Sequence, residues 1–318
     1  MEALKLEVLE NDQERKAETG GVSWKEAVAV LGWDSVITGG AYRSSELTAE
    51  RFPFSLKDIE AAKNLNMQLI FCGGGSDNSI GSNGGANYAR AFTKEELSYH
   101  EESYSFDRNA KNKCKNLIED DDSSRLFREP PERGWRLSSK YIVLGSSDKT
   151  YLEQTDFLRN QLYAFFGNKL PEKYRLAILE FNEARTGIKI WADSDEPDDQ
   201  RKAVMALMAL QINKLCRESA PEAFYRLSQN MWRNHKFDDN PLKKSQGEEE
   251  NRLLLEDESW TRTLDKTHDN SLVSVGGYFI LDDRRPEYDR ISLRHRPIST
   301  RDKKLGFCLS LKEGSVEL

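Results

Sequence analysis

The sequence is poor in the residues that build disulfide and metal sites. Its four cysteines, Cys72, Cys114, Cys216 and Cys308, stand far apart and form no CxxC pair. Scattered through 318 residues, they read as reduced core residues and not as a disulfide framework. The four histidines, His100, His235, His268 and His295, show neither HxH nor HExxH spacing, so a zinc site would need ligands from distant segments. The glycine-rich stretch 73–85 lacks the Gly-Lys-Ser/Thr of a Walker loop and reads as a surface loop, with a ligand or partner loop as the alternative. No Gly-x-Ser-x-Gly elbow occurs. No apolar run approaches the ~18 residues that cross a bilayer. The opening Met1-Glu2-Ala3-Leu4-Lys5-Leu6 is charged where a signal peptide would be apolar. A cytoplasmic protein is expected, with no membrane partner, no metal and no cofactor.

Charge and aromatics are plentiful. Charged residues make up 32% of the chain and hydrophobic ones 37%, and the six tryptophans can build a real core. The net charge of −7 argues against nucleic acid as a partner.

Residues 1–20 are charged and expected to fray. An α-rich module is expected over 21–115. Ser23 with Glu26 opens a helix there, Ser55 with Asp58 opens a second, Met67–Cys72 reads as a buried strand, and 94–102 reads as a third helix. The stretch 116–134, acidic and carrying Pro130-Pro131, reads as a linker. A second domain is expected over 135–318. It starts with a strand at Trp135–Leu144, followed by helices at about 149–166, 171–186, 197–216 and 219–235. Short strands follow from Trp260 onward. The acidic run Asp193–Asp199 carries Pro197 and lacks an EF-hand glycine, so it reads as a helix entrance.

The richest segment runs from Ser274-Val275-Gly276-Gly277 to Leu305-Gly306-Phe307-Cys308-Leu309. Glycine pairs in a strand context mark close backbone approach. Between them stand Tyr278, Phe279, Asp282, Asp283, Arg284, Arg285, Tyr288, His295 and Arg296, groups that contact ligands. A long segment held between short core strands is how a rigid scaffold presents a site.

Trp260-Thr261, Val275-Gly276-Gly277, Arg290-x-x-x-Arg294 and Leu305-Gly306-Phe307-x-Leu309 together resemble the C-terminal part of the formylglycine-generating-enzyme/sulfatase-modifying-factor family. The resemblance implies a C-type-lectin-like domain, hence an α+β fold of short β elements and several helices, preceded here by the α-rich module. It also implies scaffold roles for Trp260, Gly276, Gly277, Arg290, Arg294, Gly306 and Phe307. The family's oxidases use two cysteines whose places fall on Leu281 and Pro286, and neither can act as a thiolate. What the resemblance implies is therefore a non-catalytic relative, like the variable ligand-binding proteins diversified by retroelements. Its surface between Gly277 and Gly306 would bind a protein or a small-molecule ligand. Two alternatives stay open: a metal-dependent oxidoreductase or hydrolase on the same fold, and an assembly protein using helices 149–235.

Overall fold

Reciprocal caps start three of the helices. Ser23 Oγ accepts from Glu26 N, and Glu26 Oε2 accepts from Ser23 N at 2.8 Å, opening α1 (Trp24–Leu31). Ser55 and Asp58 repeat the arrangement for α2 (Leu56–Asn64), and Thr150 and Glu153 for α3 (Tyr151–Phe166). Each such cap contributes about 1 kcal/mol. Gly167, at φ +59, ends α3 in a conformation other residues adopt at a cost. The computed structural model describes residues 22–37, 51–72, 132, 134–223, 225–227, 229–230, 259–266, 271–278, 290–312 and 314. The glycine-rich stretch, the helix expected at 94–102 and all of the 116–134 segment except Glu132 and Gly134 lie outside them.

After Pro171 runs α4 (Glu172–Ala192), longer than expected. The helix expected over 197–216 is two, α5 (Pro197–Ala209) and α6 (Gln211–Cys216), broken at Leu210, whose backbone is extended at φ −57, ψ 129. The cause is local. Asn213 Nδ2 donates to the Leu207 carbonyl at 2.8 Å, taking an acceptor that an unbroken helix would offer to Gln211. Gln211 N donates instead to Glu180 Oε2 on α4 at 2.9 Å. Residues 220–223, 225–227 and 229–230 are also helical. No helix among the described residues is long and apolar enough to cross a membrane.

Among the described residues, two four-stranded sheets complete an α+β architecture. The first is ordered β1-β2-β3-β8, from Val36–Ile37, Met67–Cys72, Gly134–Ser139 and Ser310–Leu311. Its β1 and β2 are parallel and its other pairs antiparallel. The second is ordered β6-β5-β4-β7, from Arg290–Arg296, Leu272–Tyr278, Trp260–Lys266 and Leu305–Gly306. There β4 and β7 run parallel. The strand expected over Trp135–Leu144 stops at Ser139, and the chain turns away so that Val143 N reaches the Phe307 carbonyl at 2.8 Å.

The first sheet joins residues of the α-rich module expected at 21–115 to residues of the domain expected at 135–318. Every residue of β2 is buried, and β2 pairs along its whole length with β3, from Met67↔Ser139 to Cys72↔Gly134. A strand covered on both faces must find ladder partners for its N–H and C=O groups, and here they come from beyond the expected boundary. Trp24 stacks on Trp135 at 6.2 Å, and one apolar cluster runs from Trp24 through Leu69, Leu137, Leu158 and Phe181 to Leu311. Both expected parts share one core.

Candidate functional site

Strands β5 and β6 form an unbroken antiparallel ladder from Leu272↔Arg296 to Tyr278↔Arg290. The two ends of segment 279–289 therefore leave from adjacent, hydrogen-bonded positions. Phe279, Asp282, Asp283, Arg284, Arg285 and Tyr288 belong to that segment, outside the described residues. The backbone of Tyr278 pairs with Arg290, Arg294 with Ser274, His295 with Val273, and Gly277 with Ile291. Arg296 is half-buried opposite Leu272.

The base of this hairpin is tightly packed. Trp260 stands opposite Gly276, and a Cβ on Gly276 would lie 2.7 Å from the Trp260 ring and 2.6 Å from the Ser259 carbonyl. Gly306 is equally confined, with Ser146 Oγ 2.6 Å and Ile142 Cβ 3.0 Å from any added Cβ. Phe307 is fully buried, and the Arg217 guanidinium lies 4.9 Å from its ring centroid. Only hydrogen fits where Gly276 and Gly306 stand.

Four arginines that the sequence reading did not single out, Arg136, Arg217, Arg226 and Arg262, are buried in the structure. The first sheet carries Leu69, Phe71, Trp135, Leu137 and Leu311 into the apolar core. Strand alternation sends Gln68, Arg136, Ser138 and Ser310 to its other face. Partners arrive from 218–230. Arg136 Nη1 lies 2.7 Å from Glu222 Oε1. Arg226 grips Glu218 with Nε at 2.7 Å and Nη2 at 3.0 Å, while Ser138 Oγ donates to Glu218 at 2.6 Å. Lys312 reaches both Glu222, at 3.4 Å, and the exposed Glu132, at 2.6 Å, linking this layer to the surface. Burial works to lower both guanidiniums. The Glu222 carboxylate nevertheless holds Arg136 above its ordinary value, and Cys308 and Glu218 do the same for Arg226.

Two thiols sit in this layer. Cys308 Sγ donates to the Tyr141 carbonyl and accepts from Arg226 Nη2 at 3.2 Å. Burial pushes both Cys308 and Cys72 up to about 11, overriding the neighbouring arginines. Both are thiols at neutral pH and poor nucleophiles. Cys72, Cys216 and Cys308 are all free and buried. Among the described residues no group of three His, Cys, Asp or Glu is placed to hold a metal ion.

The other two arginines have no carboxylate within ion-pair distance among the described residues. Arg217 stacks on Tyr151 at 4.1 Å and on Phe307, and donates to Asn213 Oδ1 at 2.9 Å and Thr155 Oγ1 at 3.3 Å. Arg262, on β4, donates Nη1 to the Lys149 carbonyl at 3.1 Å and Nη2 to the Thr300 carbonyl. Burial holds both below their ordinary values, and the neighbouring Arg217 charge helps bring Arg262 down to about 9, with Asp302 opposing. An arginine in sequence reads as exposed, which hid all four. The available signals were the alternation Trp135-Arg136-Leu137-Ser138 and the Glu222–Arg226 spacing of one helical turn. No protein-family model, curated protein or solved structure matches this chain.

Proposed function

We propose that this chain is a cytoplasmic binding protein that displays segment 279–289 on a C-type-lectin-like scaffold, as its likeness to the formylglycine-generating-enzyme family implies. The observation that carries the reading is the β5–β6 ladder. Its register delivers both ends of the segment to one point, Tyr278 and Arg290, on a hairpin whose base is locked by Trp260 against Gly276. A rigid support lowers the ordering cost that a contact surface pays on binding. Phe279 and Tyr288 supply aromatic anchors, and Asp282, Asp283, Arg284 and Arg285 supply directional polar groups, for a protein or small-molecule ligand. Tyr278, His295 and Arg296 stand at the root of the same hairpin. The segment belongs to the class that retroelements diversify while leaving the ladder intact.

The test replaces 279–289 with a short Gly-Ser linker and screens parent and variant against arrayed glycans, peptides and small anions. The parent should give discrete hits that the variant loses, with its melting temperature nearly unchanged. Equal hits from both proteins would refute the reading.

A second reading, an assembly protein, is favoured by one observation. On α4, Leu176, Leu179 and Ile190 are exposed, as is Met205 on α5. Light scattering of the purified chain, with and without Leu179→Asp and Ile190→Asp, separates the two readings.

A further inference from the structure

Arg262 and Ser274 stand directly opposite each other in the β4–β5 ladder, so their side chains leave the same face of the second sheet. Both are sealed from solvent, Arg262 at 1% exposure and Ser274 at 0%. Arg262 uses Nη1 and Nη2 on the Lys149 and Thr300 carbonyls, yet its Nε has no hydrogen-bond partner among the described residues, and neither has Ser274 Oγ. Buried polar groups are seldom left this way, and these two stand in one cross-strand row. Arg296, on β6 and half-buried, stands opposite Leu272 on the same strand as Ser274, and its side chain makes no ion pair or hydrogen bond among the described residues.

The unsatisfied groups have one chemistry. A guanidinium Nε–H and a serine hydroxyl both donate, and Arg296 adds donors and charge where the chain meets solvent. The nearby acids lie beyond ion-pair distance of Arg262, although the Asp302 charge partly offsets the burial that lowers it. Asp302 Oδ1 accepts from Lys304 N at 2.9 Å, and Asp265 Oδ2 accepts from Ala220 N. Arg217 adds a further buried positive charge beside Arg262.

We infer that Arg262, Ser274 and Arg296 form an oxyanion site, taking a carboxylate or phosphate group that enters on the Arg296 side. Arg262 Nε and Ser274 Oγ bind one oxygen edge, and Arg296 closes over the group with a second guanidinium. The site shares Arg296 with the binding surface proposed above and needs no residue of 279–289.

The test uses the full chain, with inorganic phosphate and acetate as separate probes titrated against sodium chloride at constant ionic strength. Isothermal calorimetry and melting temperature give the readouts. The expected result is saturable binding of at least one probe with a rise in melting temperature, and the probe that binds identifies the group. Ser274→Ala and Arg296→Gln should each weaken binding about tenfold, as loss of one charge-assisted hydrogen bond does. Arg301→Gln, which alters an exposed arginine engaged with Glu153, should leave affinity unchanged. Absence of saturable binding by either probe would overturn the inference, and water would then serve Arg262 Nε and Ser274 Oγ. Unchanged affinity in Ser274→Ala would also overturn it, as would an equal loss in Arg301→Gln. The linker variant lacking 279–289 should bind the anion as the parent does, which keeps this result separate from the fate of the display segment.

Discussion

Two pairs of buried arginines sit in this molecule under opposite conditions. Arg136 and Arg226, behind the first sheet, each hold a glutamate at 2.7 Å. Arg217 and Arg262, at the second sheet and the start of α3, face rings, amides, hydroxyls and carbonyls instead. The first pair is closed: its charges cancel inside the protein, and Lys312 with Glu132 extend the cancellation to the surface. The second is open: no carboxylate lies within ion-pair distance of it among the described residues, and the Asp302 charge only partly offsets the burial that lowers Arg262. A buried cation with its own carboxylate reads as structure, and one without reads as half of an interaction.

The largest test of this contrast removes a carboxylate from the closed pair. Glu218→Ala leaves Arg226 buried without its counter-charge and should cost about 3–5 kcal/mol in urea unfolding. A loss below about 1 kcal/mol would show that the pair behaves like a surface contact and dissolve the distinction. A smaller loss is expected from the open pair. Arg217→Met removes a charge that no carboxylate balances and keeps an apolar side chain against Tyr151 and Phe307. It should cost about 1–3 kcal/mol, the penalty for the Asn213 and Thr155 oxygens left behind. If Arg217→Met proves more damaging than Glu218→Ala, the assignment of open and closed is reversed. Replacing both closed partners, Glu218→Met with Arg226→Met, should return stability to within about 1–2 kcal/mol of the parent, because no lone charge remains. A double variant as unstable as Glu218→Ala would mean that the hydrogen bonds around Ser138 matter more than the charge balance. The smallest effect is a null. Cys72 and Cys308, neutral thiols below about pH 11 because burial raises them, should resist iodoacetamide at pH 8 in the folded protein, as should the buried Cys216. Peptide mass spectrometry of labelled native and urea-unfolded protein reads this out, and rapid native labelling of Cys308 would show that the layer beside Arg226 opens to solvent.

Local chemistry was legible in the sequence and long-range pairing was not. Ser23 with Glu26 and Ser55 with Asp58 announce their helices because a cap needs only three residues of context. Met67–Cys72 is visible as a buried strand for the same reason, yet nothing within it names Trp135–Ser139 as its partner across residues 73–133. The break at Leu210 was hidden because it depends on Glu180 of another helix accepting from Gln211. The segment between Gly277 and Gly306 could be marked from composition, and its roots, Tyr278 and Arg290, emerge as neighbours in the ladder. Arg262 and Ser274 became a pair only through register, which a strand read alone does not contain.

The fourth strand of the first sheet has a consequence for how the chain is made. Residues 36–37, 67–72 and 134–139 supply three strands early, but the sheet is completed by Ser310–Leu311, and Gly314 N bonds the Pro53 carbonyl at 3.1 Å. A chain leaving the ribosome at about 5–20 residues per second must hold the Leu137–Ser138 edge without its β8 partner while the intervening 140–309 are synthesised. Contacts of such wide sequence separation slow folding and leave strand edges and apolar surface exposed meanwhile. Completion is therefore late and sudden: truncations just before Ser310 should accumulate in aggregates or with chaperones, whereas chains reaching residue 314 should be released folded.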